Sequence, residues 1–296
     1  MFYMCSASAE YRVKAANSWG PSVDAWKRED LSAHLRALGL AESDAVMVHG
    51  SLRAVGPMEA RGRTLVEAIL DAIGPGGTLL AYTDWTGGYE HLLDAAGRLP
   101  EALKAGVTPF DPATSPATSD NGAFVEIVRR WPGAMRSGSP GPSVAAVGAK
   151  ATWFTADHAL NYGYGERSPF AKLVEARGKV LMVGAPLDTM TLLHHAEHKA
   201  DIPEKRVIRV EVPLFRDGHT EWRMIEEFDT SNPVVSGVAD DYFAEIVEAF
   251  LATGQGCRGK IGKADSVLVP AREIVEFAVR WLEARFPIPV GNGNRP

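Results

Sequence analysis

Ala45-Val46-Met47-Val48-His49, the loop Gly50 to Pro57, the segment Thr64 to Ile73, then Gly74-Pro75-Gly76-Gly77 and Thr78-Leu79-Leu80-Ala81-Tyr82 form the stretch that decides the fold. The first run is short and apolar and reads as a buried strand. Thr64 to Ile73 reads as a helix, which the Gly-Pro-Gly-Gly run stops. Thr78 to Tyr82 reads as a second strand. Strand, loop, helix, strand is the βαβ unit of a parallel or mixed sheet, so the chain is placed in the α/β class.

Working outward, Asp30 to Leu40 predicts an amphipathic helix, with Leu31, Leu35 and Leu38 on one face and Gly39 ending it. Residues 1–22 show no sustained periodicity and are expected to form a loosely held N-terminal arm. Downstream, Gly87 to Ser119 is a long polar loop, a length that points to function or disorder. A helix near Phe124 to Arg130, a strand near Val144 to Val147 and a helix near Phe170 to Glu175 follow. Alternation from Arg206 to Glu227 predicts antiparallel strands turned at Asp217-Gly218. Helices are expected at Asp240 to Ala252 and Ala271 to Arg285. No linker marks a boundary, so residues 23–290 are read as one domain with an elaborated C-terminal part.

Bulk properties narrow the class. A net charge of -6 argues against nucleic acid and permits cationic ligands. At 46% hydrophobic and 23% charged the composition is that of an ordinary globular protein. Cys5 and Cys257 form no disulfide framework or metal spacing, which suits a reducing compartment. No apolar run is long enough for a membrane span, and the start lacks a basic n-region and long h-region. The expectation is a cytoplasmic protein, a monomer or homodimer, without membrane or nucleic-acid partners.

Three constellations can carry chemistry. Behind the strand Lys179-Val180-Leu181-Met182-Val183-Gly184, Asp188 or Thr189 reads as the N-cap of a helix bearing His194, His195, Glu197 and His198. At helical spacing His194, Glu197 and His198 share a face and His195 points elsewhere. An imidazole with a carboxylate partner is a general base. The same residues match H-x-x-E-H, the inverted zincin pattern, with Glu273 or Glu276 available as a third ligand. A surface helix with solvated histidines is the third reading. The second constellation is the loop His49-Gly50-Ser51-Leu52-Arg53-Ala54-Val55-Gly56 at a strand end, where small residues let backbone N–H groups reach phosphates. It matches neither the P-loop nor the Gly-x-Gly-x-x-Gly fingerprint, and an ordinary βα turn is the plainer reading. The third is a scatter of acids at strand ends, Asp84, Glu90, Asp188, Glu226, Glu227 and Asp229, which attracts a polycation or forms a solvated face.

Several segments together resemble the aminoglycoside 3-N-acetyltransferase family, the antibiotic N-acetyltransferases distinct from the GNAT fold. The pieces are Val46 to Pro57, Ile73 to Leu79, Pro109 to Thr114, Gly163 to Pro169, Val183 to Leu187, Leu193 to Glu197, Ala200 to Arg206 and Phe228 to Asn232. They run in order from about residue 25 to 287. The resemblance implies a three-layer α/β/α fold with a mainly parallel or mixed central sheet and an elaborated C-terminal substrate-binding part. It implies transfer of acetyl from acetyl-CoA to the 3-amino group of 2-deoxystreptamine aminoglycosides, which confers antibiotic resistance. His194 would be the general base in a ternary complex, with Glu197 orienting it. His49, Gly50, Ser51, Leu52, Arg53, Val55 and Gly56 would hold CoA. Tyr89, Glu90, Asp188, Glu226, Glu227 and Asp229 would face the cationic sugar rings, and no metal is expected. Two departures stand out. Arg136-Ser137-Gly138-Ser139-Pro140 replaces the Arg-Ser-Ala-His-Pro of many members, and Tyr162 stands where another histidine is frequent, with His158 close by. The competing readings from the residues are a zinc-dependent hydrolase and a non-catalytic binder of cationic ligands.

Overall fold

In the computed structural model, which describes residues 25–230 and 233–287, the apolar runs become a central sheet. Its strands and those of a separate hairpin are β1 (Ala45–Gly50), β2 (Thr78–Tyr82), β3 (Met135–Arg136), β4 (Val144–Gly148), β5 (Lys179–Val183), β6 (Val207–Arg216), β7 (His219–Phe228), β8 (Cys257–Ile261) and β9 (Ala264–Pro270). The helices are α1 (Arg28–Leu38), α2 (Leu52–Val55), α3 (Gly62–Ile73), α4 (Glu101–Lys104), α5 (Gly122–Arg129), α6 (Ala151–Thr155), α7 (Pro169–Glu175), α8 (Leu193–Lys199), α9 (Tyr242–Ala252) and α10 (Ala271–Arg285). The sheet runs β3-β4-β2-β1-β5-β9-β8. β2, β1 and β5 are parallel, and the pairings outside them are antiparallel, so the sheet is mixed.

Alternation along the strands builds the layers. Val46, Val48, Leu79, Ala81, Leu181 and Val183 pack on one face with residues of α1, α3 and α5. Met47, Leu80, Val180 and Met182 face the other way, against α7, α8, α9 and α10. Both faces of the parallel strands are therefore buried, which is why those strands read as continuous apolar runs rather than as alternating ones. The result is three layers, α/β/α. No helix among the described residues is long and apolar enough to cross a membrane.

The elaborated part is the β6–β7 hairpin together with the long loop that follows β2. Trp85, Tyr89, Leu99 and Phe110 of the loop pack with Val212, Leu214 and Ile225 of the hairpin as a satellite core. Gly97, at φ +74°, brings the loop backbone against β6 so closely that a Cβ there would lie 1.8 Å from the carbonyl oxygen of Arg209. Only glycine fits such an approach.

Several expectations shift. Asp188 and Thr189 do not cap α8. They lie in a 3₁₀ turn, Leu187–Thr189, and the N-cap is Leu192 with no side-chain cap bond. At its other end α8 is capped by a lysine. Lys205 Nζ donates to the carbonyls of Glu197, His198 and Ala200 at 3.0, 3.2 and 2.8 Å. β3, β8, β9 and α6 had no counterpart in the reading of the sequence. The arm expected over residues 1–22, together with Ser231 and Asn232, lies outside the described residues.

Candidate active site

β1 and β5 are neighbouring parallel strands whose connections leave toward opposite sides of the sheet. The crevice beyond the carboxyl ends of such strands is where open α/β sheets bind ligands. After β5 the chain turns at Gly184, whose φ is +59° and where a Cβ would sit 2.3 Å from that of Ala54. It then runs through the 3₁₀ turn into α8. Two cavities flank this segment.

The first, of about 280 Å³, is lined by Asp188, His194, Glu197, Thr230, Asp240, Tyr242 and Phe243, with Pro233. His194 Nδ1 lies 2.6 Å from Glu197 Oε2. A carboxylate can only accept, so Nδ1 carries the proton and Nε2 is left as the basic nitrogen. Glu197 is 2% exposed, and its other oxygen accepts the Tyr242 hydroxyl. The rings of Tyr164 and Phe243 pack on the imidazole, each with its centroid 4.9 Å away. Asp188, Glu197 and Asp240 give the cavity three carboxylates, and among the described residues no lysine or arginine lines it. That charge balance favours a cationic ligand.

The second cavity, of about 270 Å³, is lined by His49, Gly50 and Ser51 from the end of β1, Tyr82 from β2, Asp120 to Gly122, and Ala185, Pro186, Thr189 and Thr191. Burial pulls the His49 imidazole down to about 4, so it is neutral at pH 7. Its Nε2 is enclosed without a hydrogen-bond partner among the described residues. Tyr82 links the two cavities: its hydroxyl lies 2.8 Å from that of Tyr164, the residue whose ring packs, tilted, against His194.

The rest of the loop that follows β1 plays a different part. Ser51 N-caps the single turn α2, accepting from the Ala54 N–H at 3.4 Å. Val55 is fully buried in the core, Arg53 is exposed, and Gly56, at φ +93°, packs against Lys263. Of the seven loop positions, His49, Gly50 and Ser51 reach the cavity.

The expected substrate-facing residues scatter. Asp188 lines the His194 cavity. Asp229 pairs with Arg206, 3.6 Å from its Nε, next to the cavity residue Thr230. Glu227 is buried, accepts the Gly163 N–H at 2.6 Å and lies 2.8 Å from His198 Nε2, off the line of a good hydrogen bond. Glu226 accepts from Tyr162 at 2.5 Å and from Arg209 at 2.7 Å, and chiefly the Tyr162 hydroxyl holds it below the usual carboxylate range. Tyr89 belongs to the satellite core and donates to the Glu211 carbonyl at 2.8 Å, and burial raises its hydroxyl. Glu90 accepts the Gly87 N–H at 2.6 Å and borders a separate groove against Val207 to Val210. Asp84, at φ +37°, is raised to about 6 by burial, and its carbonyl accepts from Arg136 at 2.6 Å.

The H-x-x-E-H residues do not converge. His194 turns to Glu197, His198 to Glu227 and His195 Nδ1 to the Tyr164 carbonyl at 2.8 Å, while Glu273 and Glu276 are exposed on α10. Among the described residues no three His, Cys, Asp or Glu side chains form a ligand set. At the replaced motif, His158 bridges Ser137 Oγ and the Gly163 carbonyl, 2.8 and 2.7 Å away. Asp240, Tyr242 and Phe243 were not singled out from the sequence. The only local signal for them is an aromatic pair opening α9.

The description "Aminoglycoside 3-N-acetyltransferase" belongs to a family profile that matches residues 47–283. An aminoglycoside N(3)-acetyltransferase III of Pseudomonas aeruginosa is 45% identical over 263 residues, covering 86% of this chain and 94% of its own. Among solved structures, AAC-IIIb in binary complex with CoASH superposes at a TM-score of 0.89 with 58% identity, covering 90% of this chain and 99% of that one. AAC-VIa bound to sisomicin superposes at 0.85 with 36% identity, covering 90% of this chain and 100% of that one. Matches of this extent and identity mean that the chain belongs to the aminoglycoside 3-N-acetyltransferase family of acyltransferases.

Proposed function

We propose that this protein transfers acetyl from acetyl-CoA to the 3-amino group of a 2-deoxystreptamine aminoglycoside, by direct attack in a ternary complex with His194 as general base. The observation that carries the reading is the His194–Glu197 pair facing a cavity lined by Asp188 and Asp240. It is supported by the names of the relatives and by the CoASH and sisomicin complexes of two of them.

The substrate arrives as a polyammonium ion, and the acids of the first cavity hold it. His194 Nε2 takes a proton from the 3-ammonium, and the freed amine attacks the thioester carbonyl. A C–N bond forms and the C–S bond breaks. The leaving thiolate takes up the proton that His194 holds, and the freed Nε2 then accepts the second proton from the new amide nitrogen and passes it to solvent, so that one proton is released per turnover. Glu197 keeps Nδ1 protonated and so fixes which nitrogen acts as base. The acyl donor enters by the second cavity, where the Ser51 hydroxyl can donate to the developing oxyanion. No acyl-enzyme is required, and Cys257, exposed on the edge strand β8, has no place in the reaction.

The test is thiol release from acetyl-CoA against a panel of aminoglycosides and one simple amine. His194→Ala is expected to lose about 10²–10⁴ in rate while both ligands still bind by calorimetry. Near-normal turnover would move the base elsewhere. Ligand binding without any thiol release would favour a non-catalytic binder, and activity lost to a chelator and restored by zinc would favour the hydrolase.

A further inference from the structure

Tyr242 opens α9, far in sequence from α8, yet its hydroxyl reaches Glu197 Oε1 while His194 holds Oε2. All three residues border the same cavity. We infer that Tyr242 is a positioning residue of this active site, which clamps Glu197 so that the carboxylate presents a fixed oxygen to His194 Nδ1. The inference rests on the reading of His194 as the base.

The geometry leaves Glu197 little freedom otherwise. The carboxylate is 2% exposed and Tyr242 is 4% exposed, so little of either faces the cavity they border and a water has little room to take the phenol's place as donor. A buried carboxylate oxygen needs a partner, and losing one costs more than an ordinary exposed hydrogen bond is worth. With Tyr242 in place the two oxygens have different tasks, one anchored and one serving the imidazole. Without it the carboxylate can rotate about its last bond and offer His194 either oxygen or a poor angle.

Tyr242 is itself held. Its ring stacks on Trp281 of α10, centroids 6.4 Å apart at 22°, and meets Phe243 edge-on at 4.7 Å. Its orientation is therefore set by α9 and α10 rather than by the site. Other groups also bear on the pair. From α8 and the segment behind it, Lys205 donates to the Glu197 carbonyl and attracts its charge. Asp188 of the 3₁₀ turn and Asp240 ahead of α9 line the cavity, and Tyr164 and Phe243 cover the imidazole faces. Tyr242 is the group placed to donate to the carboxylate oxygen that His194 does not use.

Tyr242→Phe keeps the ring and removes the donor, so packing on Trp281 survives. Steady-state thiol release should show kcat down about 10-fold, with KM for acetyl-CoA and aminoglycoside within about twofold, because the lost bond orients the base and touches neither ligand. The acid limb of the kcat/KM profile should move to higher pH, since a carboxylate that no longer shares its charge with a phenol donor draws the facing imidazolium more strongly. In a Glu197→Gln background the Tyr242→Phe change should add less than about twofold, because the residue acts through that carboxylate. Wild-type kcat and an unmoved acid limb in a folded Tyr242→Phe protein would overturn the inference while leaving the base assignment standing. Full additivity with Glu197→Gln would overturn it as well. If His194→Ala retains turnover, the base reading itself has failed, and this inference falls with it. If Tyr242→Phe folds poorly, 3-fluorotyrosine or 3,5-difluorotyrosine at position 242 keeps the donor and changes its acidity: the acid limb should follow the acidity of the phenol, and a limb indifferent to it overturns the proposal.

Discussion

Asp188 and Asp240 come from separate segments and meet across one cavity, with His194 between them in sequence and beside them in space. Each carboxylate that pairs with a ligand ammonium contributes about 1.5–3 kcal/mol in a charge-assisted hydrogen bond. Asp188→Asn or Asp240→Asn should therefore raise the aminoglycoside KM about tenfold and leave that for acetyl-CoA unchanged. Added salt should act in the same direction, since these acids are exposed and the Debye length is ~8 Å at physiological ionic strength. If both variants instead raise the acetyl-CoA KM, the two cavities have been given the wrong ligands. The His194–Glu197 pair was legible because i, i+3 on a helix is a local relation. The partnership with Tyr242 and Asp240 was not, because it depends on where α9 docks. Glu226 and Glu227 show how far alternation carries. It separates a buried Glu227 from a more accessible Glu226, but says nothing of the Tyr162, Arg209 and His198 that engage them.

At the scale of elements, the strongest periodic segments were those read correctly: Thr78–Tyr82 as β2, the hairpin turned at Asp217-Gly218, and Ala271–Arg285 as α10. β8 was illegible because its edge position leaves Arg258 and Lys260 exposed and breaks the apolar pattern. β9 was missed because Asp265 and Ser266 interrupt its apolar run and it passes directly into α10. α8 has a dependence of its own. It is brief, lacks an N-cap side chain and is held at its C-terminus by Lys205. A cation there satisfies orphan carbonyls and complements the helix dipole. Lys205→Met keeps the stem and removes the charge. It should lower stability by about 2 kcal/mol, seen as a drop in urea midpoint at constant m-value, and should lower kcat through the loosened turn that carries Glu197. An unchanged midpoint would mean that water serves those carbonyls equally well.

The molecule as a whole should be sensitive to mild acid, and the sign can be worked out from its buried groups. Burial holds His49, His158 and His195 each near about 4, below the ~6.5 of an unfolded histidine. A group with a depressed folded value binds fewer protons folded than unfolded between those two pH values. Stability is thus fully present above pH ~6.5 and is lost as pH falls toward 4. The gap corresponds to about 3 kcal/mol per site, against a typical total of 5–15 kcal/mol. Asp84, raised to about 6 by burial, opposes this, because protonating it favours the folded state as pH falls through 6. It is one site against three. Asp71, Glu126 and Glu166, held below the carboxylate range chiefly by Ser32, Arg129 and Lys199 respectively, add to the loss at still lower pH. The urea midpoint should fall steadily from pH 7 to pH 4.5, with most of the fall above pH 5, where carboxylates other than Asp84 have barely begun to titrate. His195, 1% exposed with Nδ1 on the Tyr164 carbonyl, is the cleanest probe. His195→Asn can donate to the same carbonyl without a proton to gain, so its midpoint should start lower at pH 7 and fall less steeply. A wild-type midpoint that is flat or rising down to pH 5 would show that these imidazoles take up protons in the folded protein, and that the layer behind α8 is wetter than its packing implies.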